Sequence, residues 1–597
     1  MSANLHLKAG TKHSVMIGQT GIPVRIVRLT FLSLFVSLGL PPALLAQLPP
    51  VIDPTGRSGE PPALEKEQQQ PAPTTPPRFI LPPIETLPDL QQKRTPGLKV
   101  RVQTIRVEGS TVLSQEELGK IIAPYENREL STEDLEQLRR ELTQTYINKG
   151  YINSGAVIPD QSIEDGQLTY RIIEGKLTDI NIEGTTYFLP FYFQQRIARS
   201  TGPPLNIRPL KERLQLLLQD SRIQRLNSEL KPGLTPGEAT LDVRVEEASP
   251  FRAWAEFNNF QSPTVGAERG LGTIAVDNPF AIGDHFQFTY GGSKGVHPLL
   301  DTSYAVPLTP WDTTLQLQYR KNDFNVVSSA FRQLDIESQS QIFKIALRQP
   351  LYHTLTDEIA VTFIGEHLQN QNFIGGTGFQ FTPGTTQNGK SKISALRLAQ
   401  EWIHRQPVQV FAFYSRFSLG IDTLDATNNR IAKDDPNSHF FAWLGQAQWA
   451  RRIDPFGIQL ISNLALQIAN DSLFPLEQFA VGGRYSVRGY RENQLVRDNA
   501  FLFSVESRIP ILPSVIGPHV TAHFAPFIDV GRSWNAKIDT PDPKTLASIG
   551  VGLRLGFFDR AFANVYWGQQ LNHVSDVPPG GNLQDHGLHV QFILNIL

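Results

Sequence analysis

Cysteine is absent from the 597 residues of this chain, and methionine occurs only twice. The absence of cysteine excludes disulfides, thiolate metal ligands and cysteine nucleophiles. Neither sign of charge dominates, because 55 lysines and arginines face 57 aspartates and glutamates. No basic domain therefore indicates a nucleic-acid partner. The 13 histidines form no HExxH-like pair, so the sequence predicts neither a metal nor a cofactor.

Long apolar runs are also scarce. Arg25 and Arg28 precede an apolar stretch over 29–40, which two prolines and Ala46 follow. This order is typical of a secretory signal peptide, so residues 1–46 are predicted to direct export. The alternative is a short membrane anchor, but a helix of that length spans about 18 Å of a roughly 30 Å hydrocarbon core. No later stretch reaches 18 apolar residues, and no transmembrane helix is predicted.

Residues 47–99 have the composition of a linker. Thirteen prolines fall between Pro49 and Pro96, among Gln, Glu and Thr. Such a segment buries too little apolar surface to offset the entropy of ordering it. An extended, semi-rigid linker is therefore predicted, in which the run Ala63–Gln70 has the composition for one or two helical turns.

Residues 100–249 contain an internal repeat. The pentapeptide IRVEG at 105–109 returns as INIEG at 180–184. Ser114 with Glu117, and Ser131 with Asp134, form capping-box patterns at the starts of two helices. The order β-α-α-β-β is predicted in both copies. Two small α+β domains are therefore expected, over residues 100–175 and 176–249.

From residue 251 onwards the hydrophobic period changes from 3.6 to 2. Phe501, Phe503 and Val505 alternate with Ser504 and Glu506, for example. We count about 16 such segments of roughly ten residues each. Further segments of this kind are 285–290, 311–320 and 588–597.

Two kinds of fold are compatible with this alternation. A soluble sandwich or propeller would turn its polar face to water, but no repeat of 40–50 residues indicates a propeller. Here the apolar faces carry aromatic residues near strand ends, and the opposite faces carry Gln, Arg, Glu and Asn. Together with the export signal, this pattern favours a closed barrel in lipid with a polar interior over residues 250–597. The predicted fold class is a membrane β-barrel of about 16 antiparallel strands preceded by two small α+β domains.

Two motifs imitate enzyme signatures. Residues 384–391 match the P-loop pattern, but a Gly-rich loop precedes them where a nucleotide site needs a buried strand. Residues 291–295 fit the nucleophile-elbow pattern but lie between two predicted strands. Neither has the context that its chemistry requires, so no enzymatic activity is predicted.

Three stretches resemble a known family. Tyr146–Gly175 is similar to the first POTRA domain of two-partner-secretion transporters, the TpsB branch (ShlB/FhaC/HecB type) of the Omp85 superfamily. The stretch GGRYSVRGYREN at 482–493 matches the VRGY loop of that superfamily, and a strand about forty residues later matches its F-x-D-x-G motif. The matching residues are Gly482, Gly483, Val487, Arg488, Gly489 and Tyr490 in the loop, and Phe527, Asp529 and Gly531 in the strand.

The resemblance implies that the VRGY loop folds back into the barrel lumen as a pore and gating element. Arg488 would then need a partner in a confined space, and Asp529 is the candidate because a bidentate pair fixes geometry as well as charge. Asp529 shares strand parity with Thr521 and His523, which predicts that it points inward. The opposite, apolar face consists of Val520, Ala522, Phe524, Ile528 and Val530.

The resemblance also implies a function. Such a protein sits in the outer membrane, with its POTRA domains in the periplasm and lipid around its barrel. It acts as a monomer without a cofactor and secretes an unfolded TpsA-like exoprotein through the barrel. The alternatives are an Omp85 assembly factor, which usually has more POTRA repeats, a passive porin, or an enzyme on a barrel scaffold. The chain departs from the family in offering only Ala63–Gln70 as a plug helix and in ending on Leu597 instead of an aromatic residue.

Overall fold

The computed structural model describes residues 99–163, 165–329, 332–453, 455–511, 519–558, 560–574 and 581–597. The predicted signal peptide, the run Ala63–Gln70 and all of the predicted linker but Lys99 lie outside the described residues. Within the described ranges, no helix combines the length and the apolar character that crossing a bilayer demands.

The first module begins with β1 and ends with β5. Both predicted capping boxes are present, at Ser114 with Glu117 and at Ser131 with Asp134. The helix that follows the second box buries Leu138, a residue of the core beneath the sheet β2-β5-β4. A separate pair, β1 with β3, was not predicted. The elements are β1 (Lys99–Val102), β2 (Thr104–Glu108), α1 (Gln115–Ile122), a 3-10 turn (Ala123–Tyr125), β3 (Arg128–Ser131), α2 (Thr132–Asn148), β4 (Gly155–Val157) and β5 (Gln167–Ile173).

The second module has the predicted order β-α-α-β-β. Its sheet order is β6-β8-β7, so β6 and β7 are the edges, and both helices pack on one apolar core. The two modules are joined by backbone hydrogen bonds, from Leu205 N–H to Gly175 C=O at 2.6 Å and from Ile207 N–H to Gly150 C=O at 2.9 Å. The elements are β6 (Lys176–Glu183), α3 (Pro190–Ala198), α4 (Ile207–Leu217), β7 (Ile223–Pro232) and β8 (Glu238–Glu247).

Sixteen strands of the described chain close into an antiparallel barrel, which confirms the predicted fold class. The last strand returns to the first and pairs with it. The sixteen are β9 (Phe251–Asn258), β10 (Arg269–Asp277), β11 (His285–Ser293), β12 (Val296–Pro307), β13 (Thr314–Asn325), β14 (Ile336–His353), β15 (Asp357–Ile374), β17 (Lys390–Gln406), β18 (Gln409–Ile421), β19 (Phe441–Ile453), β20 (Ile458–Ala469), β23 (Asn499–Pro510), β24 (Val520–Trp534), β25 (Thr545–Phe557), β26 (Ala561–Gln570) and β27 (Leu588–Asn595).

Three short strands and three 3-10 turns complete the described chain. β16 (Thr377–Gly378) pairs antiparallel with the end of β15, and β21 (Phe479–Val481) pairs with β22 (Leu495–Arg497) as a separate hairpin. Further 3-10 turns lie at Pro263–Val265, Arg332–Leu334 and Leu583–His586.

The barrel wall alternates as predicted, with apolar side chains outside and polar ones inside. On β27, Phe592 and Leu594 are exposed on the outer face, whereas His589 and Gln591 are fully buried in the interior. Two predicted boundaries were wrong: the segment 311–320 was expected to be a strand, but β13 begins at Thr314, and the segment 588–597 was expected to be the last strand, but β27 ends at Asn595. Trp311 lies in the preceding turn, where the Arg199 guanidinium stands 5.0 Å from its ring centre.

The second module is seated on two turns at one end of the barrel, here called the module end. The Arg196 Nε–H donates to Asp312 Oδ1 at 2.9 Å in the β12–β13 turn. In the β10–β11 turn, Arg222 Nη1 donates to the Gly283 carbonyl at 2.6 Å. Arg196 is buried, so these contacts fix the module against the rim.

Candidate functional site

The connection between β20 and β23, residues 470–498, folds back into the barrel and is here called the lumen loop. Its hairpin of β21 and β22 carries the stretch 482–493. Gly482 and Gly483 reverse the chain there with φ of +110° and +107°, values that residues with a Cβ rarely adopt. A Cβ at Gly483 would also collide with the Glu492 carboxylate. The glycines are therefore required by the turn itself.

Arg488 and Asp529 form the predicted ion pair. Arg488 Nε donates to Asp529 Oδ2 and Nη2 donates to Oδ1, both at 2.8 Å, so the pair is bidentate. The backbone N–H of Arg488 also donates to Oδ2, at 3.0 Å. The two residues are 3% and 0% exposed. This arrangement fixes both the side chain and the backbone of the loop to the wall.

Two further side chains of β23 complete the guanidinium site. Arg488 Nη1 bonds to the carboxylate of Glu506, and Nη2 donates to Ser504 Oγ at 3.2 Å. The Ser504 hydroxyl in turn donates to Asp529 Oδ1 at 2.6 Å. The face of the guanidinium lies 3.6 Å from the ring centre of Phe527, a geometry that adds cation–π attraction. One guanidinium thus forms ion pairs with two buried carboxylates.

Gly489 brings the backbone of the lumen loop against the barrel wall. Its N–H donates to His589 Nε2 at 3.1 Å, and its carbonyl accepts from Gln570 Nε2 at 2.7 Å. Gly489 has φ of +92°, and a Cβ there would lie 2.6 Å from the Gly568 carbonyl oxygen. Only glycine, which has no Cβ, allows the two backbones to approach this closely.

The remaining motif residues fill the space around the pair. Tyr490 is fully buried, and its hydroxyl lies 2.9 Å from the Ala547 carbonyl and 2.8 Å from that of Asn572. Val487 and Tyr490 belong to one apolar cluster. A Cβ at Gly531 would approach Val487 to 2.8 Å, so the final glycine of F-x-D-x-G makes room for the loop. The structure thus brings all nine predicted residues together.

On β24 the predicted faces hold at most positions, although Thr521, predicted to share the inward face with Asp529, is exposed. Asp529 and Phe527 point inward, and Phe524 and Ile528 are exposed on the outer face. Ala522 was predicted to face outward with them, but it is 3% exposed. Strand parity alone therefore did not predict the exposure of this small side chain.

A second anchor of the lumen loop was missed from the sequence. Arg397 of β17 donates from Nη2 to Glu477 Oε1 at 2.6 Å and from Nε to Glu366 Oε2 of β15 at 2.8 Å. Arg397 and Glu477 are both 4% exposed. The parity of β17 identifies Arg397 as inward-facing, but nothing in the sequence indicates which loop residue meets it 80 positions later.

The P-loop-like motif does not lie in the structural context that a nucleotide site requires. Residues 384–389 form a turn, and β17 begins at Lys390 as an extended strand and not as the helix that a phosphate site requires. No group of three or more metal-ligating side chains occurs among the residues that the structure describes.

Comparison with known families finds two matches. Residues 237–555 match the family described as haemolysin secretion/activation protein ShlB/FhaC/HecB. Residues 100–175 match the POTRA domain of ShlB type.

Individual proteins show the same similarity. The outer membrane transporter CdiB of Dickeya dadantii (strain 3937) is 24% identical over 470 residues, which are 76% of this chain and 79% of that protein. The hemolysin transporter protein ShlB of Serratia marcescens is 29% identical over 184 residues, 30% of this chain and 31% of that one. The solved structure of CdiB from Escherichia coli is similar in fold, with a TM-score of 0.63 at 20% identity over 87% of this chain and 94% of that chain.

Proposed function

The chain belongs to the haemolysin secretion/activation protein family ShlB/FhaC/HecB, and we propose how this outer-membrane transporter of two-partner secretion handles its exoprotein. Its modules lie in the periplasm, and the module end of the barrel faces them. The single observation that carries the proposal is the lumen loop, which Arg488 and Asp529 hold inside a closed barrel. The held loop narrows the pore while leaving the wall intact.

Capture falls to the two modules. A TpsA-like exoprotein arrives unfolded, and an extended chain can add as a strand to an exposed sheet edge. The structure offers such edges in β2 and β4 of the first sheet and in β6 and β7 of the second. Main-chain hydrogen bonds then supply affinity without demanding one sequence.

The exoprotein passes through the barrel and folds outside the cell. Folding there removes the unfolded form and biases transport outward, so the proposal includes no nucleotide and no enzymatic step. The barrel works as a monomer embedded in lipid. Apolar side chains on the outer face of β14, among them Phe343, Ile345 and Leu347, are exposed and suit a hydrocarbon environment.

Deletion of residues 100–175 tests the capture role. We expect the truncated protein to insert as a folded barrel, seen as retained heat-dependent migration on a gel, while the exoprotein fails to reach the medium. The full chain expressed at the same level is the control. Normal secretion by the truncated protein would refute a receptor role for the first module.

A further inference from the structure

Large apolar side chains are exposed where the second module meets the barrel rim. They come from the segment before α3, from the first turn of that helix and from the β10–β11 and β12–β13 turns. The Leu189 N–H donates to the Ala281 carbonyl at 2.9 Å, so the segment before α3 touches the β10–β11 turn. The six side chains, here called the rim patch, are 40–68% exposed: Tyr187, Leu189, Phe191, Phe280, Leu308 and Trp311. An exposed group of large apolar side chains marks a surface that another molecule covers.

Helix α3 lies along the rim of the barrel. Leu189 ties its beginning to the β10–β11 turn, and the Arg196 bond to Asp312 ties its end to the β12–β13 turn. In the same turn, Arg199 Nη1 donates to the Pro310 carbonyl at 2.8 Å. A transmembrane barrel ends at the membrane surface, so a helix held to two rim turns lies near the lipid headgroups.

The helix has one face in the module core and another that is exposed. Phe193 and Ile197 are buried in the core of the second module. Phe191, Gln195 and Ala198 are exposed, and they lie within about 60° of one another around the helix axis. The exposed face therefore points away from the core of its own module.

A third side of α3 faces the barrel interior. Tyr192 and Arg196 line a cavity of about 490 Å³ together with Glu358 of β15 and Arg405 of β17. Tyr192 is turned from Phe191 by about 100° around the helix axis. A polypeptide that enters the lumen therefore meets a different side of α3 from the one that carries Phe191.

The rim patch continues the outer face of the barrel. The Phe280 ring stands edge-on to the Tyr304 ring of β12, with 6.2 Å between the ring centres. Tyr304 pairs across the strands with Leu317 of β13, which is exposed on the outer face. Directly paired residues point to the same face of a sheet, so Tyr304 lies on the lipid side. The rim patch is thus joined to a surface that lipid covers.

The chemistry of the rim patch suits a phospholipid headgroup layer. Tyrosine and tryptophan have an apolar ring with a polar group, and they favour the depth of the headgroups. The exposed guanidinium of Arg199 stands 5.0 Å from the ring centre of Trp311. A cation at this depth attracts the lipid phosphates. A phospholipid therefore matches both the apolar and the cationic part of this surface.

We propose that the rim patch is inserted into the phospholipid leaflet on the periplasmic side and that α3 is an interfacial helix. The leaflet then holds the second module from the outside of the barrel, while Arg196 and Arg222 hold it to the rim turns. The lipid contact thereby helps to fix the orientation of the module at the mouth of the lumen. This anchor goes beyond the proposed function, because it needs no exoprotein.

Because the chain has no cysteine, a spin label can be attached at one chosen site. Gln195→Cys and Ala198→Cys place the label on the exposed face of α3 and leave the rim patch intact. Leu234→Cys is the matched control, an exposed apolar site in the β7–β8 turn of the same module. Asn153 of the first module donates to the Gly237 carbonyl of that turn at 3.0 Å, so the control site lies on the side of the first module.

The full-length variants are placed singly in nanodiscs of phosphatidylethanolamine and phosphatidylglycerol. Electron paramagnetic resonance then measures collisions of the label with oxygen, which concentrates in lipid, and with a nickel chelate, which stays in water. We expect the ratio of oxygen to nickel collisions to be about threefold or more higher at Gln195→Cys and Ala198→Cys than at Leu234→Cys, because an interfacial helix lies within the headgroup layer. Equal ratios at the three sites in assembled protein would overturn the anchor.

A second set of variants tests the rim patch itself. Leu189→Ser with Phe191→Ser, introduced beside Gln195→Cys, should lower the collision ratio by about half or more, because the apolar area that enters the leaflet is lost. Leu234→Ser in the same background should leave the ratio unchanged. Heat-dependent migration shows which variants are assembled, and the two labelled sites without serine changes test the anchor even where the serine variant does not fold. A ratio that the serine changes leave unaltered in assembled protein would contradict the role of the patch.

The exoprotein is the competing occupant of this surface. If it covers the rim patch, the ratio at Gln195→Cys should be as low as at Leu234→Cys in lipid alone, and nickel collisions should fall only when unfolded exoprotein is added. That result would overturn the lipid anchor and leave the secretion role standing. A high ratio in lipid alone supports the anchor whether or not the same protein secretes a partner.

Discussion

Arg488 pairs with two carboxylates, so removing Arg488 should destabilise the seated loop more than removing either carboxylate. Without Arg488, both Asp529 and Glu506 lose a charged partner in a buried site, which costs about 3–5 kcal/mol when such a pair is broken. Without Asp529, Arg488 keeps Glu506 and Ser504. The contacts around the guanidinium are thus asymmetric, because Arg488 has two carboxylate partners and Asp529 has one guanidinium partner.

We predict that Arg488→Ala reduces export more than Asp529→Ala, while both variants keep heat-dependent migration of the barrel. The double variant should be little worse than Arg488→Ala alone, because both changes remove the same interaction. Export of the exoprotein into the medium is the measurement. Losses that simply multiply in the double variant would show that the two residues act independently.

Gly489 tests the close approach of the loop to the wall. Gly489→Ala adds a Cβ 2.6 Å from the Gly568 carbonyl at φ of +92°. Placing a residue with a Cβ in the left-handed region costs about 1–2 kcal/mol. A cost of this size lowers the population of the loop seated against the wall about tenfold. We expect reduced export from this variant.

The control for Gly489→Ala is Gly270→Ala. A Cβ at Gly270 of β10 meets nothing within 4 Å, so export should stay at the level of the parent. Equal export by the two variants would contradict a tight seat for the loop.

Among the sixteen strands of the barrel, β9 and β27 share the shortest pairing. It has five residue pairs, whereas β14 and β15 share seventeen. Asn259 extends the seam with its side chain, donating from Nδ2 to Leu588 C=O at 2.9 Å and accepting from Val590 N–H at 2.7 Å. The amide thereby imitates one further backbone pair.

Asn259→Ala should loosen the seam, because a partly buried N–H and a partly buried carbonyl each lose a hydrogen-bond partner, at up to about 1–3 kcal/mol for each group. We expect faster hydrogen exchange at the Val590 amide and a lower temperature of barrel unfolding. Asn463→Ala, which removes a side-chain bond away from the seam, is the control. Unchanged exchange at Val590 would contradict the role of Asn259.

Element prediction succeeded where a single strand or helix carries its own signal. Alternation identified the barrel strands, and the capping boxes at Ser114 and Ser131 identified two helices. Trp311 continued the alternation into a turn, because the pattern does not reveal where the last ladder hydrogen bond is made. Strands as short as β1 and β3 carry too few residues for a period to show.

The contact between Arg488 and Asp529 could be predicted because motif and strand parity agreed. Glu506 was missed as a partner, since its approach depends on how β23 and β24 are registered in the closed barrel. The Arg397–Glu477 pair was missed because it depends on the path of the lumen loop across the interior. Contacts that form only when the barrel closes leave no signal in the sequence of any single segment.

At the scale of the whole molecule, the modules, the rim contacts and the lumen loop form one path from capture to release. The second module is tied to the barrel at Asp312 and Gly283, so a chain held on its sheet edge is already at the mouth of the lumen. We expect translocation by the purified chain to require no other protein and no nucleotide.

The most direct measurement is transport into proteoliposomes that contain the purified protein with its modules outside. Unfolded exoprotein is added outside without nucleotide, and its protection from external protease is followed, with protein-free liposomes as the control. The account predicts protected exoprotein in the proteoliposomes alone. Protection no greater than in the protein-free liposomes, although the barrel is folded and the exoprotein binds, would contradict it.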